Sequence, residues 1–466
     1  MTRTSICLTF LMASVALASA VAVPAAALAA PGAGFAWTSP YSPGTTSATS
    51  FSSVVPGPAG SVYAAGNYES SMIGLPDGSR LLAARVDAAT GSLIWQRTTK
   101  GPRRRGVSCA GATSDAAGNL TIIGRAATGK WNIYVARYDS NGKLLWWRQA
   151  DGSAHHFDNP AAVATNARGA AYVGGWLSDR GYGEDGVVLK YGATGILRWK
   201  YLLRTKHIDE VHDIVVDAAG NVYAVGTRNG TRTTSQLVVV KLSRGGKLVW
   251  LKTIRAAATA YFGERMVLAP DAVYAAGIRG AGATNTPVVA KYDLAGTRAW
   301  LTQDDSNMVE LRDAALDPSG RLILAGDAWD DAANMQEGSL VAFDATGARC
   351  AAATYINNVS GHDAPASFKS LAVDRTGMIY VGGAMSQSDD GSWVYASSLA
   401  LRYPAVDVSP WQPQTTWVHP DTGIGNWNRC NSVLLTSDDN VYVGGMVQTT
   451  MTGPISGYLQ KLGSTP

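Results

Sequence analysis

Along residues 209–254, DEVHDIVVDAAGNVYAVGTRNGTRTTSQLVVVKLSRGGKLVWLKTI, four short apolar runs (DIVV, VYAV, LVVVK and KLVWLKTI) alternate with an Asp-x-x-Gly turn, a polar loop and a Gly-Gly turn. Runs of this length, rich in Val and Tyr and bounded by Gly and Asp, predict strands, and the tight turns predict hairpins. We name the four strands A to D. Nothing after the first 30 residues repeats with the period of an amphipathic helix, so the pattern predicts an all-β chain.

The second run is the key to the rest. GSVYAAG ends at Gly66, and its counterparts end at Gly124, Gly175, Gly226, Gly277, Gly326, Gly383 and Gly445, with steps of 58, 51, 51, 51, 49, 57 and 62 residues. A unit of that length with four strands is a propeller blade, so eight units predict a single eight-bladed β-propeller over residues 34–463. The eighth unit stops at GYLQKLGSTP, one strand short, while Phe35-Ala36-Trp37 matches the strand D phrases LIWQ and LRWK. The N-terminal strand is therefore expected to complete the last blade and leave no blade open.

Composition adds an address and removes some partners. Arg3 precedes a long apolar run ending in Ala27-Leu28-Ala29, which predicts a secretory signal peptide over residues 1–29 and a protein that is secreted or periplasmic. Cys7 lies too early to be a lipid-modified cysteine at the cleavage site, and no later stretch is long and apolar enough for a membrane span. Net charge is +4 with 16% charged residues, which gives no long-range attraction to nucleic acid. Beyond the leader Cys109, Cys350 and Cys430 remain, an odd and sparse set that is no disulfide framework and reads as small hydrophobes in strands. A monomer without a cofactor or metal is expected.

The units resemble bacterial β-propeller repeats of the form Asp-x-x-Gly-Asn-Val-Tyr-Val-x-Gly followed by Val-Lys-Tyr-Asp-x-x-Gly-x-x-x-Trp. They also resemble the quinoprotein eight-bladed repeats, whose tryptophan-docking phrase is matched by ARVDAATGSLIW at residues 84–95. The resemblance implies outer-strand tryptophans at Trp95, Trp146, Trp199, Trp250, Trp300 and Trp411, with Trp37 filling that slot for blade eight and Ala351 replacing the indole in blade six. It implies no chemistry: the adjacent cysteines of quinone-dependent dehydrogenases are missing, and no catalytic residue carries over. The lipidated cysteine of the related scaffold lipoproteins is also missing.

The A–B and C–D turns are short and alike, whereas the B–C and D–A loops are longer and diverse, which places binding on the face that carries the latter. All six histidines fall there or early in strand A: His155 and His156 in SAHHFDNP, His207 and His212 in KHIDEVHD, His362 and His419. Asp158, Asp209, Glu210, Asp213, Asp363 and Asp421 accompany them. His155, His156, His207 and His212 are the catalytic candidates, since His beside carboxylate suits acid–base work. Arg103, Arg104 and Arg105 with Trp131, Trp176, Trp329, Trp393, Trp417 and Trp427 are the ligand-binding candidates, the tryptophans offering flat platforms for sugar rings or protein hot spots. The leading expectation is a binding module for a glycan or a protein. The alternative is a propeller-type polysaccharide lyase or glycoside hydrolase using the His, Arg and carboxylate groups. A quinone-dependent oxidoreductase ranks last.

Overall fold

The structure is a computed structural model that describes residues 35–463 apart from 42–47, 70–77, 129, 182, 232–233, 282–283, 331–333, 360–361, 388–394, 409–410, 419–427 and 449–454. The expected leader and its cleavage site lie outside the described residues. Eight four-stranded antiparallel sheets form the ring, joined by a small hairpin before blade seven (Asn357–Val359 with His362–Ala364). Blade four shows the plan: strand A Ile208–Val216, B Val222–Gly230, C Gln236–Leu242 and D Leu248–Ile254. Strand A of each blade packs against strand A of its neighbours, so the A strands are innermost and border the axial channel, while D strands form the outer edge. Blade eight holds Arg429–Leu435, Val441–Gln448 and Ile455–Leu462, and its fourth strand is Phe35–Tyr41, paired antiparallel with Phe35 opposite Leu462 and Tyr41 opposite Gly457. The N-terminal strand thus closes the ring as expected, and every strand of the ring lies within residues 35–462.

The repeat glycines exist because every inner strand bulges. In blade four the register slips between Val211 and Asp213, leaving His212 as the extra residue. The same slip leaves Ser52, Ala110, Ala161, Glu264, Arg312, Lys369 and Asn431 in the other blades. A bulge presses strand A onto strand B, and the carbonyl oxygen of Glu210 comes to lie 2.0 Å from where a β-carbon on Gly226 would stand. All eight repeat glycines meet strand A backbone in this way, at 1.7 to 2.1 Å. Only a residue without a side chain fits there.

The outer tryptophans are anchors between blades. Trp250 of blade four lies in the core shared with blade five, and its ring stands 2.9 Å from the position a β-carbon on Gly296 would take. Its Nε1 donates to the Leu294 carbonyl in the same C–D turn, 3.3 Å away. Trp95, Trp146, Trp199 and Trp300 repeat this donation to Ser140, Ala193, Arg244 and Ala345, always in the following blade. By register Trp37 opposes Lys461 as Trp250 opposes Lys241, in keeping with its expected slot.

Blade seven corrects the expected scheme. Its strand D is Thr415–Val418, so Trp411 precedes the strand, and Trp417 sits within it, opposite Ala400. Trp411 lies in the core between blades six and seven, beside Ala351, and its Nε1 donates to the Pro404 carbonyl at 3.2 Å. It enters, from the C–D loop of blade seven, the same inter-blade core at which blade six carries Ala351 where the other blades carry an indole. Trp417, expected on a ligand-facing loop, is instead buried between blades seven and eight with Cys430, Val433 and Tyr458. Among the described residues the three cysteines are unpaired and lie in strands; Cys350 is exposed on the outer edge of blade six rather than packed inside.

Candidate functional site

Because the A strands are innermost and each bulge falls near the middle of its strand, the bulge residues ring the channel about halfway along it. Four consecutive blades contribute ionisable groups there: His212, Glu264, Arg312 and Lys369, all partly exposed. Asn431 and Ser52 follow, and blades two and three supply only Ala110 and Ala161, so one arc of the channel is charged and the other small or neutral. His212 Nε2 is 3.1 Å from Glu210 Oε2, and its Nδ1 is 3.4 Å from Glu264 Oε2 on the next blade. Arg312 reaches Glu310 and, through Nε at 3.2 Å, Asp327, which also lies 3.6 Å from Lys369 Nζ. The ring of Trp176 stands 6.1 Å from the imidazole of His212.

In blades four to eight the residue after the bulge clasps the next blade. Asp213 Oδ2 accepts from Met266 N (2.9 Å), Asp313 Oδ2 from Leu371 N (2.8 Å), Ser370 Oγ from Val433 N (3.2 Å) and Ser432 Oγ from Val54 N (3.0 Å). Arg265 Nε donates to the Arg312 carbonyl at 2.6 Å. Burial pushes the Asp213 carboxyl up to about 6, against the pull of Arg265 and two backbone N–H donors. These groups hold the ring together and are already engaged.

His212 is the most perturbed group of the arc. Burial alone would lower it, yet the hydrogen bonds and charges of Glu210 and Glu264 hold the imidazolium up to about 10. Glu264 in turn is kept below the usual carboxylate range by His212, against its own burial. At neutral pH the ring is protonated and stabilises two carboxylates; it has no lone pair with which to take a proton. A folded-state pKa above the unfolded value of 6.5 means that this stabilisation is complete below about pH 6.5 and disappears as pH climbs through about 10. Urea midpoints of the wild-type protein are therefore expected to fall across that window, whereas His212→Gln starts lower and adds no slope of its own there. An identical slope in both proteins would refute the charged clamp.

The four catalytic candidates are not brought into one site. His155 is 69% exposed with φ 52° and pairs with Asp151 of its own loop at 2.8 Å. His156 and His207 are exposed, and only His212 joins the channel arc. No group of three or more His, Cys, Asp or Glu among the described residues is placed to hold a metal ion. Two of the accompanying carboxylates are loop clamps: Asp158 accepts from Gly152 N (2.9 Å) and Ser178 N (2.7 Å), and Asp209 from Thr205 N (2.5 Å) and Asn229 N (3.0 Å). Arg103, Arg104 and Arg105 are exposed in a 3₁₀ turn, where Arg103 and Arg104 take positive φ. His419, Asp421, Trp393 and Trp427 lie outside the described residues, as do the side chains of His362 and Asp363. Glu264, Arg312 and Lys369 were not singled out from the sequence.

Of the loop tryptophans, Trp131 begins strand C of blade two with Arg125 5.6 Å over its ring, and Trp176 lies within strand B of blade three. Trp329 is 39% exposed at the end of strand B of blade six. It borders a cleft of about 320 Å³ shared with Ser306, Asn307, Asp330, Glu337 and Thr354. Asn307 ties down its backbone on both sides: the side-chain amide donates to the Trp329 carbonyl, and Trp329 N donates to the Asn307 carbonyl at 3.3 Å. An indole face beside amide, hydroxyl and carboxylate groups suits the apolar face and hydroxyl edge of a sugar ring.

No protein-family model matches the chain, and no curated protein matches it. Among solved structures it is similar to Sqt1 from Chaetomium thermophilum, at 13% identity and TM-score 0.51 over 91% of this chain and 98% of that one. It is also similar to hydrazine synthase of Kuenenia stuttgartiensis (13% identity, TM-score 0.47, covering 71% and 91%). A third likeness is to quinohemoprotein alcohol dehydrogenase from Comamonas testosteroni (13%, TM-score 0.38, covering 87% and 65%). Likenesses at this level of identity are of propeller fold.

Proposed function

We propose that this chain is an exported recognition module without catalysis, which takes a glycan on its long-loop face with Trp329 as the stacking platform. The fold supports an interaction module in general, and the leader pattern supports export. The observation that carries the glycan reading is the exposed indole of Trp329 at the edge of a polar cleft, on backbone held by Asn307. Backbone already anchored in the free protein lowers the ordering cost when ligand binds. The lyase or hydrolase reading is weaker because His212 is held protonated at neutral pH, while His155 lies in a separate loop with its own carboxylate. The quinone reading lacks its adjacent cysteines.

Glycan-array screening followed by calorimetry tests this. Trp329→Ala is expected to weaken the best glycan by about tenfold or more, as loss of an aromatic anchor does, with little change in melting temperature because the side chain is exposed. Unchanged affinity in the variant, or turnover of the glycan by the wild-type protein, would sink the reading.

A further inference from the structure

The outer edge of the ring is chemically lopsided. Nine of the thirteen exposed large hydrophobic side chains among the described residues lie at the start of the D strands of blades one to four: Leu93, Ile94, Leu144, Leu145, Trp147, Ile196, Leu197, Leu248 and Val249. The matching positions of blades five and six read Thr297, Arg298, Ala299 and Ala348, Arg349, Cys350. A bulge at Ile94, Leu145 and Val249 puts two successive apolar residues on the outside where alternation would expose one. The tryptophan anchors account for Trp95, Trp146 and Trp250, which are buried, but not for these neighbours.

Cations are interleaved with them. Arg97, Lys143, Arg198, Lys200, Arg244 and Lys247 are exposed on the same edge, and none is ion-paired among the described residues. The carboxylates of the adjoining turns are used as caps: Asp87 accepts from Ala89 N and Thr90 N, and Asp139 from Asn141 N and Lys143 N. Charge and bulges can protect an edge strand without any apolar side chains, so a row of exposed Leu, Ile, Val and Trp beside that charge asks for a partner.

We propose that the outer edge of blades one to four is a docking surface for an anionic lipid surface. Charge complementarity selects the occupant: a second copy meeting the same belt would set six unpaired cations against six, whereas acidic headgroups attract them. A side chain such as Trp147, half-exposed and stacked on Tyr134, suits the boundary between headgroup and acyl chain. The belt is spread over the outer strands of four blades, which a fluid surface can follow and a folded acidic partner would have to match rigidly.

The test uses residues 31–466, which contain every strand of the ring, so that the apolar leader cannot bind in its place. Co-sedimentation with vesicles of equal phosphatidylglycerol and phosphatidylcholine is expected to exceed that with pure phosphatidylcholine by about tenfold, and to weaken in high salt. Ile94→Asp/Leu145→Asp/Val249→Asp should lose this binding with an unaltered melting curve, while Thr297→Asp on blade five should keep it. Arg97→Gln/Lys143→Gln/Lys247→Gln should lose the preference for the acidic vesicles. Equal binding to both vesicles, binding to neither, or a wild-type dimer that the triple aspartate variant dissolves would each overturn the proposal, the last by showing that a second copy covers the belt.

Discussion

Gly226→Ala is expected to leave the ring unable to fold at room temperature, although the new side chain is a single methyl group. Its β-carbon would stand 2.0 Å from the Glu210 carbonyl oxygen, well inside van der Waals contact. The clash is with backbone rather than with the end of a flexible side chain, so relief requires strand A to lift off strand B. That breaks the ladder at the bulge, displaces His212 and Asp213 and opens the clasp from Asp213 to Met266. A cost above about 4 kcal/mol follows from the mechanisms that produce extreme single-site losses. Gly60 is the control: it has φ 72° and nothing within 4 Å of a would-be β-carbon. Gly60→Ala should cost only the left-handed penalty of about 1–2 kcal/mol. Urea titrations followed by circular dichroism compare the two. Similar midpoints would mean that backbone conformation, not the approach of strand A, explains the repeat glycines.

Trp411→Ala carries the second largest expected effect, about 3–5 kcal/mol, as for a buried tryptophan in a packed core. The magnitude is informative because Trp411 belongs to no strand, and a loop residue would ordinarily cost little. Its indole packs 6.2 Å from the Tyr403 ring in the core between blades six and seven, where Ala351 stands in the register position of the other outer tryptophans. If Trp411 fills the vacant seat of blade six, Ala351→Trp in the Trp411→Ala background should recover part of the loss. In the wild-type background the same change should destabilise by overpacking. Thermal and urea unfolding of the four proteins form a double-mutant cycle. Additive effects would show that the two positions do not share a seat.

The architecture was legible because strand B carries its signal in adjacent residues: VYAAG and its relatives are local phrases, and counting them counts the blades. The reason for their last glycine was not legible, since it lies in the backbone of a neighbouring strand. The channel arc escaped for a related reason. His212 stands 14 positions ahead of Gly226, as Arg312 does ahead of Gly326 and Lys369 ahead of Gly383, while Glu264 stands 13 ahead of Gly277. Aligning on the glycine and reading back to strand A would have found all four, but their residue types differ from blade to blade and make no motif. Histidines stood out instead by falling between strands D and A beside carboxylates, and three of the four candidates are loop residues in the structure. Trp417 misled because strand D of blade seven is shortened and shifted, so the repeat resemblance assigned the outer slot to Trp411 and left Trp417 to the loop that follows.

The pairing of Phe35–Tyr41 with Ile455–Leu462 also sets the order of events during synthesis. The last strand of the circle is the first one made. Until the C-terminal strand exists, that segment has no partner, and the final sheet has three strands with a bare edge. Joining two ends separated by nearly the whole chain carries a large search entropy, which local hairpin formation within the other blades does nothing to reduce until they have stacked into an arc. Stacked blades bring the ends face to face, so closure is a late step, and its success reports that all the preceding joints have formed.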